Sequence, residues 1–166
     1  MRDVLQHEAS LVRCTYDEGA ALLRREVHLD PTFPAFVAAC RARAVPLTVV
    51  SSGLEPIIRD RLEEIGVRDV AIVANGLDPD PRGWRILWRD ESPNGTDKAA
   101  LVRAAEAAGT RTIFIGDGRS DYEAAAAADT RFAKAGLQLE RYLTRHGIPF
   151  EPFSTFAELT DKLPER

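Results

Sequence analysis

The 166 residues are predicted to form an α/β protein, a three-layer α/β/α sandwich of the doubly wound, Rossmann-like type around a parallel sheet. Three observations predict it. Short β-branched or apolar runs alternate with stretches that keep the 3.6-residue period of a helix. One run, Thr112 to Ile115, is continuously apolar, as in a strand buried on both faces. Polar residues gather where two of these runs stop, at Ser51 and at Asp117, and open parallel sheets bind ligands beyond such strand ends.

The elements follow in chain order. Residues 1–29 read as helical: Thr15 and Glu18 have the spacing of a capping box, and Ala20, Leu23 and Val27 share a face. Asp30-Pro31 predicts a helix start, a cap residue followed by proline at the first helical position. Phe33, Phe36, Val37 and Cys40 then recur at helical spacing. Pro46 to Val50 reads as a strand ending in Ser51-Ser52-Gly53. Leu54, Ile57, Ile58, Leu62 and Ile65 make the next helix, which Gly66 stops. Val70 to Ala74 is strand-like, Asn75-Gly76 reads as a turn, and Trp84 to Trp88 returns as an extended piece. This stretch is predicted to be a hairpin-like excursion with Pro79 and Pro81 in its loop.

Thr96 is expected to cap a helix bearing Leu101, Val102 and Ala105, closed by Gly109. The apolar strand at Thr112 follows, then a helix over the alanine run E-A-A-A-A-A-D. A strand near Arg131 to Ala133 and a helix from Leu137 to His146 come next. Thr155 and Glu158 have capping-box spacing before a last helix.

Composition excludes several classes. The net charge of −4 offers no basic field for nucleic acid or acidic lipid. No apolar run approaches the roughly 20 residues of a membrane span. The start M-R-D-V-L-Q-H-E lacks the apolar region of a signal peptide. Cys14 and Cys40 are isolated, so a reduced, cytoplasmic setting is expected.

Four residues carry the chemistry. Lys98 falls in the first turn of its helix, where a cation opposes the macrodipole; the position makes sense if the ammonium faces an anion, and solvated surface lysine is the bland alternative. Ser51 is either a helix cap or, with neighbouring backbone N–H groups, part of an anion cradle. Asp117 and Asp121 place two carboxylates beside one strand end. At ~5 Å and an effective dielectric of ~20 they would repel by about 3 kcal/mol. A divalent cation removes that cost, and Mg²⁺ commonly takes one or two carboxylates. Together these residues describe a site for a phosphate and a magnesium ion.

V-V-S-S-G (Val49 to Gly53), the lysine of G-T-D-K-A (Lys98) and G-D-G-R-S-D (Gly116 to Asp121) resemble the second, third and fourth motifs of the haloacid dehalogenase superfamily of phosphatases. Within it, the tail from Arg131 to Leu159 is similar to the methionine-salvage phosphatases that act on 2-hydroxy-3-keto-5-methylthiopentenyl-1-phosphate, beside the phosphoserine-phosphatase-like enzymes. The resemblance implies that Ser51 hydrogen-bonds the transferring phosphoryl group, with Ser52 and Gly53 beside it. It implies that Lys98 neutralises the nucleophile–phosphate pair, that Asp117 ligates Mg²⁺ and that Asp121 completes or supports the metal shell. It also implies that residues 1–29 are part of a helical cap and residues 30–166 the core.

The family begins with a strand ending in D-x-D-G-T, whose first aspartate is the nucleophile. No such motif precedes Ser51; Asp17 in T-Y-D-E-G is accounted for by its capping box. The first core strand is therefore expected to be missing, through truncation or degeneration. The expected function is a Mg²⁺-dependent phosphomonoester hydrolase for a small phosphorylated metabolite, inactive as this chain. The alternative is a non-catalytic domain that binds phosphate or a protein partner. An unpaired strand edge favours self-association into a homodimer.

Overall fold

A computed structural model describes residues 2–164. The described residues form two compact units, 2–96 with 163–164, and Asp97–Lys162.

The first unit opens with helices α1 (Arg2–Ser10) and α2 (Tyr16–Glu26). The predicted capping box is present: the Glu18 N–H donates to Thr15 Oγ1, and the Thr15 N–H donates to Glu18 at 2.8 Å. Helix α3 (Phe33–Ala42) begins later than Asp30-Pro31 suggests. Asp30 Oδ1 accepts from the Thr32 N–H (2.9 Å) and hydroxyl (2.6 Å), which holds residues 30–32 in a turn. The apolar face of α3 is core, with Phe33, Phe36, Val37 and Cys40 all buried.

Strand β1 (Thr48–Leu54) leads into helix α4 (Glu55–Glu64), and β2 (Ala71–Asp78) pairs parallel with β1. β3 (Arg85–Leu87) returns antiparallel to the far half of β2, through the pairs Gly76↔Leu87, Leu77↔Ile86 and Asp78↔Arg85. The hairpin excursion is therefore present, but Asn75-Gly76 is not its turn. β2 runs straight through both residues, and the reversal falls at 79–84, where the Gly83 N–H donates to the Asp80 carbonyl.

The outer edge of β3 is closed by α1. The Gln6 carboxamide accepts from the Ile86 N–H at 3.0 Å and donates to the Trp84 carbonyl at 3.3 Å, as a neighbouring strand would. The Trp84 N–H donates to the Ala9 carbonyl. Trp84 is 4% exposed; its indole N–H donates to the Cys14 carbonyl, and its ring lies so close to Gly19 that a Cβ there would sit 2.6 Å from it.

The second unit contains α5 (Lys98–Ala107), β4 (Ile113–Gly116), a 3-10 turn (Arg119–Asp121), α6 (Tyr122–Ala127), β5 (Thr130–Lys134), α7 (Gln138–Arg145), β6 (Glu151–Phe153) and α8 (Ala157–Thr160). Its strands are parallel in the order β4-β5-β6. The cap of α5 is Asp97, which accepts from the Ala100 N–H at 2.8 Å, and not the expected Thr96; the Thr96 hydroxyl is buried without a partner. Each β4 residue is only partly buried, because β4 is the end strand of its sheet. β6 had no clear sequence signal: three residues, one of them Pro152, fall below the length at which alternation is readable.

The alanine run does more than favour a helix. Ala124 and Ala128 pack with Ala99 and Val102 of α5, while Ala125 packs with Ala133, Leu139 and Leu143. Small side chains let α6 lie close to two neighbours at once.

Candidate active site

The sequence-predicted residues fall into two groups, one in each unit.

In the first unit the group is a bulge in β1. Val50 pairs with Val73 and Leu54 with Asn75, so Ser51, Ser52 and Gly53 stand opposite Ala74 alone. Such insertions bend a strand and re-aim its side chains. Ser51 is therefore part of the strand and does not cap α4, whose first turn has no side-chain cap. The Gly53 N–H donates to Ser51 Oγ at 3.0 Å. A Cβ on Gly53 would meet that oxygen at 3.2 Å, so the glycine gives the hydroxyl room to fold back. The Ser52 hydroxyl is buried with no partner, while the Ser52 carbonyl accepts from the Asn75 carboxamide at 2.9 Å.

In the second unit the group surrounds the end of β4. Lys98 stands at the first position of α5, and its ammonium donates to Asp121 Oδ1 at 2.7 Å and to Ser120 Oγ at 3.0 Å. This ion pair is buried, with the Lys98 side chain 9% and the Asp121 side chain 6% exposed. The other oxygen, Asp121 Oδ2, accepts from the N–H groups of Asp117 and Gly118, both at 2.9 Å. A Cβ on Gly116 would lie 2.8 Å from it, so glycine is what lets the strand end approach the carboxylate. Asp121 is thus engaged by an ammonium and two backbone donors, which closes the loop Gly116–Asp121 on itself. Asp117 differs: it is exposed, and among the described residues its carboxylate makes no hydrogen bond.

The donor set can be tested against a magnesium ion on these grounds. Mg²⁺ commonly takes one or two carboxylates and keeps several waters. The Asp117 carboxylate suits a direct ligand, since its backbone is fixed and its oxygens are uncommitted. Asp121 is suited to hold the loop and the lysine from behind. Among the described residues, no cluster of three or more His, Cys, Asp or Glu side chains could encage a metal; a magnesium ion held at Asp117 would keep most of its waters.

Two residues here were not picked out from the sequence. Ser120 accepts from Lys98, and nothing in its spacing separates it from an ordinary loop serine. Asn75 was hidden by its Asn-Gly pair. The signal that could have found it is Leu77, which continues the apolar pattern of β2 past the supposed turn.

The first unit thus carries a hydroxyl-bearing strand bulge, and the second a buried lysine–aspartate pair and, among the described residues, a free carboxylate after a glycine. Residues 1–126 match the family model described as haloacid dehalogenase-like hydrolase, and the chain belongs to that family. It is 34% identical to Pdp3-interacting factor 1 of Schizosaccharomyces pombe, over 95% of this chain and 73% of that protein. It is 31% identical to the polyol phosphate phosphatase PYP1 of Saccharomyces cerevisiae, over 89% and 68%. It is 29% identical to the 2-hydroxy-3-keto-5-methylthiopentenyl-1-phosphate phosphatase of Exiguobacterium sibiricum, over 85% and 66%. The chain thus spans about two-thirds to three-quarters of these relatives. The crystal structure of phosphoserine phosphatase from T. onnurineus shares the fold, with a TM-score of 0.62 at 22% identity, over 96% of this chain and 71% of that one. The resemblance to the haloacid dehalogenase phosphatases and the α/β fold class are both shown by these similarities.

Proposed function

We propose that this chain carries the phosphate- and metal-binding part of a Mg²⁺-dependent phosphomonoester hydrolase for a small phosphorylated metabolite. The observation that carries the reading is the division of labour after β4. Asp121 is consumed by Lys98 and two backbone N–H groups, which leaves Asp117 exposed with a free carboxylate.

Each residue has a role in this reading. Ser51 hydrogen-bonds a phosphoryl oxygen, with Ser52 and Gly53 shaping its turn. Lys98 neutralises charge on the phosphate, held in place by Asp121 and Ser120. Asp117 holds Mg²⁺, and Asp121 supports that shell through the loop backbone. When bound, Mg²⁺ supplies charge neutralisation for the phosphoryl oxygens. Residues 1–29 serve as part of a cap.

No D-x-D-G-T stands among the 166 residues. This chain is therefore expected to bind phosphate and Mg²⁺ without turning over a phosphomonoester. Calorimetric titration of the purified chain with MgCl₂ and with inorganic phosphate tests the binding. Asp117→Asn should abolish the Mg²⁺ heat and Ser51→Ala should weaken phosphate. Absence of both heats in the unaltered chain overturns the reading. Steady phosphate release that survives Asp17→Ala overturns the expectation of inactivity.

The substrate class rests on the relatives. Similarity to methionine-salvage phosphatases and to a polyol phosphate phosphatase makes both phosphoester types the first compounds to test in a form that includes a D-x-D-G-T strand. A second reading is a degenerate domain that binds phosphate or a partner. An in-frame D-x-D-G-T in the DNA upstream of Met1 would decide for the enzyme.

A further inference from the structure

We propose that Asn75 is the positioning residue for Ser51: its carboxamide stands in for the strand partner that the β1 bulge lacks and so fixes the direction of the serine hydroxyl. The inference rests on the reading of Ser51 as a phosphoryl ligand.

Asn75 sits where β2 changes partners. Asn75 is the last residue of β2 paired with β1, opposite Leu54, and from Gly76 the strand pairs with β3. Opposite this point β1 carries its bulge, where the ladder is interrupted. A strand carbonyl so released needs another donor, because an unsatisfied buried polar group costs about 1–3 kcal/mol. Asn75 supplies it. Its amide nitrogen donates to the Ser52 carbonyl at 2.9 Å and to the Asn94 carbonyl at 3.0 Å. Its Oδ1 accepts from the Arg89 N–H at 3.2 Å. The side chain is wholly buried, at 0% exposure.

The amide is also held from behind. Gly95 approaches so closely that a Cβ there would fall 2.3 Å from Asn75 Oδ1 and equally close to the Trp88 ring. The carboxamide therefore has one orientation, and it ties the bulge to the segment 89–95. The Ser52 carbonyl belongs to the peptide that bears the Gly53 N–H. Fixing that peptide plane aims the N–H that donates to Ser51 Oγ. The chain of effect runs from Asn75 to the Ser52–Gly53 peptide and from there to the Ser51 hydroxyl.

The test compares Asn75→Ala, Ser51→Ala and the double variant, using inorganic phosphate as the probe and amide hydrogen exchange at Gly53 as a second readout. Asn75→Ala should weaken phosphate binding roughly tenfold, about one hydrogen bond's worth. In the Ser51→Ala background it should have little further effect, since two residues acting as a unit are non-additive. The Gly53 amide should exchange faster in Asn75→Ala while Val49 and Val50 keep their protection. Additive losses, or an unchanged Gly53 amide beside a lowered melting temperature, would show a merely structural role and overturn the proposal.

If Asn75→Ala does not fold, the unaltered chain still decides. Slow exchange of the Asn75 side-chain amide together with the Gly53 amide supports the clamp, and fast exchange of both overturns it. If the unaltered chain does not bind phosphate, the reading of Ser51 fails, and the Gly53 exchange measurement still judges the clamp.

Discussion

Asp121 accepts from Lys98, from the Asp117 N–H and from the Gly118 N–H while almost wholly buried. Removing it strands an ammonium in the interior, and breaking such a pair costs about 3–5 kcal/mol. Asp121→Ala should therefore lower the urea midpoint far more than Asp117→Ala, which removes only an exposed carboxylate. Equal effects in urea melts would contradict this account. Ala44 makes a second case. Helices α3, α4 and α5 all end with paired 6→1 and 5→2 backbone bonds, but α3 has Ala44 in the left-handed position (φ 54) where α4 has Gly66 and α5 has Gly109. The Cβ penalty there is about 1 kcal/mol, reduced by the greater freedom of glycine in the unfolded chain. Ala44→Gly should raise the melting temperature by about 1–2 °C, roughly 0.5 kcal/mol in a chain this size; a fall would refute it. Asp129 gives the pH dependence. The backbone N–H and then the hydroxyl of Thr112 hold its carboxyl below the usual carboxylate range. A depressed native value means that its stabilisation is present above about pH 4, the ordinary carboxylate value. It is lost as pH falls through the native value. Asp129→Asn should be less stable than the parent at pH 7 and match it in strong acid, as read from urea melts at both pH values.

At the scale of elements, the chain manages its strand edges unevenly. β3 is closed on its outer side by a side chain, the Gln6 carboxamide, which takes one N–H and one carbonyl of the edge. Gln6→Ala should leave those groups open and increase self-association, since free edges template further pairing. Sedimentation of parent and variant over a range of concentrations would show it, and identical profiles would dismiss it. β1 and β4, by contrast, are end strands of their sheets. Much at this scale was legible. The Thr15–Glu18 box, the core face of α3 and the strand before Asp117 follow from local rules of capping and periodicity. The misses have one cause. Asn75-Gly76 has turn chemistry, Thr96 has cap chemistry and Asp30-Pro31 has start chemistry, and each was overridden by a neighbour. Asn75 found three partners in the fold, Asp97 took the cap one residue later, and Asp30 spent its side chain on Thr32.

For the whole molecule, the order of motifs fixed the family before any coordinate did. Ser51, Lys98 and the aspartates after Gly116 stand in the sequence of a haloacid dehalogenase-like hydrolase, and the family match over residues 1–126 agrees. Among the described residues no helix is long and apolar enough to cross a membrane. The amino-acid sequence by itself determined the α/β class, the helix and strand order as far as β5, and the residue types from which a phosphate and magnesium chemistry is proposed. All of these depend on periodicity, capping and side-chain chemistry, which are local. Only the tertiary structure decided how the two aspartates divide their work, and that Ser51 lies in a bulge clamped by Asn75. Those outcomes turn on which distant backbone groups are left without partners, and residues 23 positions apart can answer that only once the chain has closed.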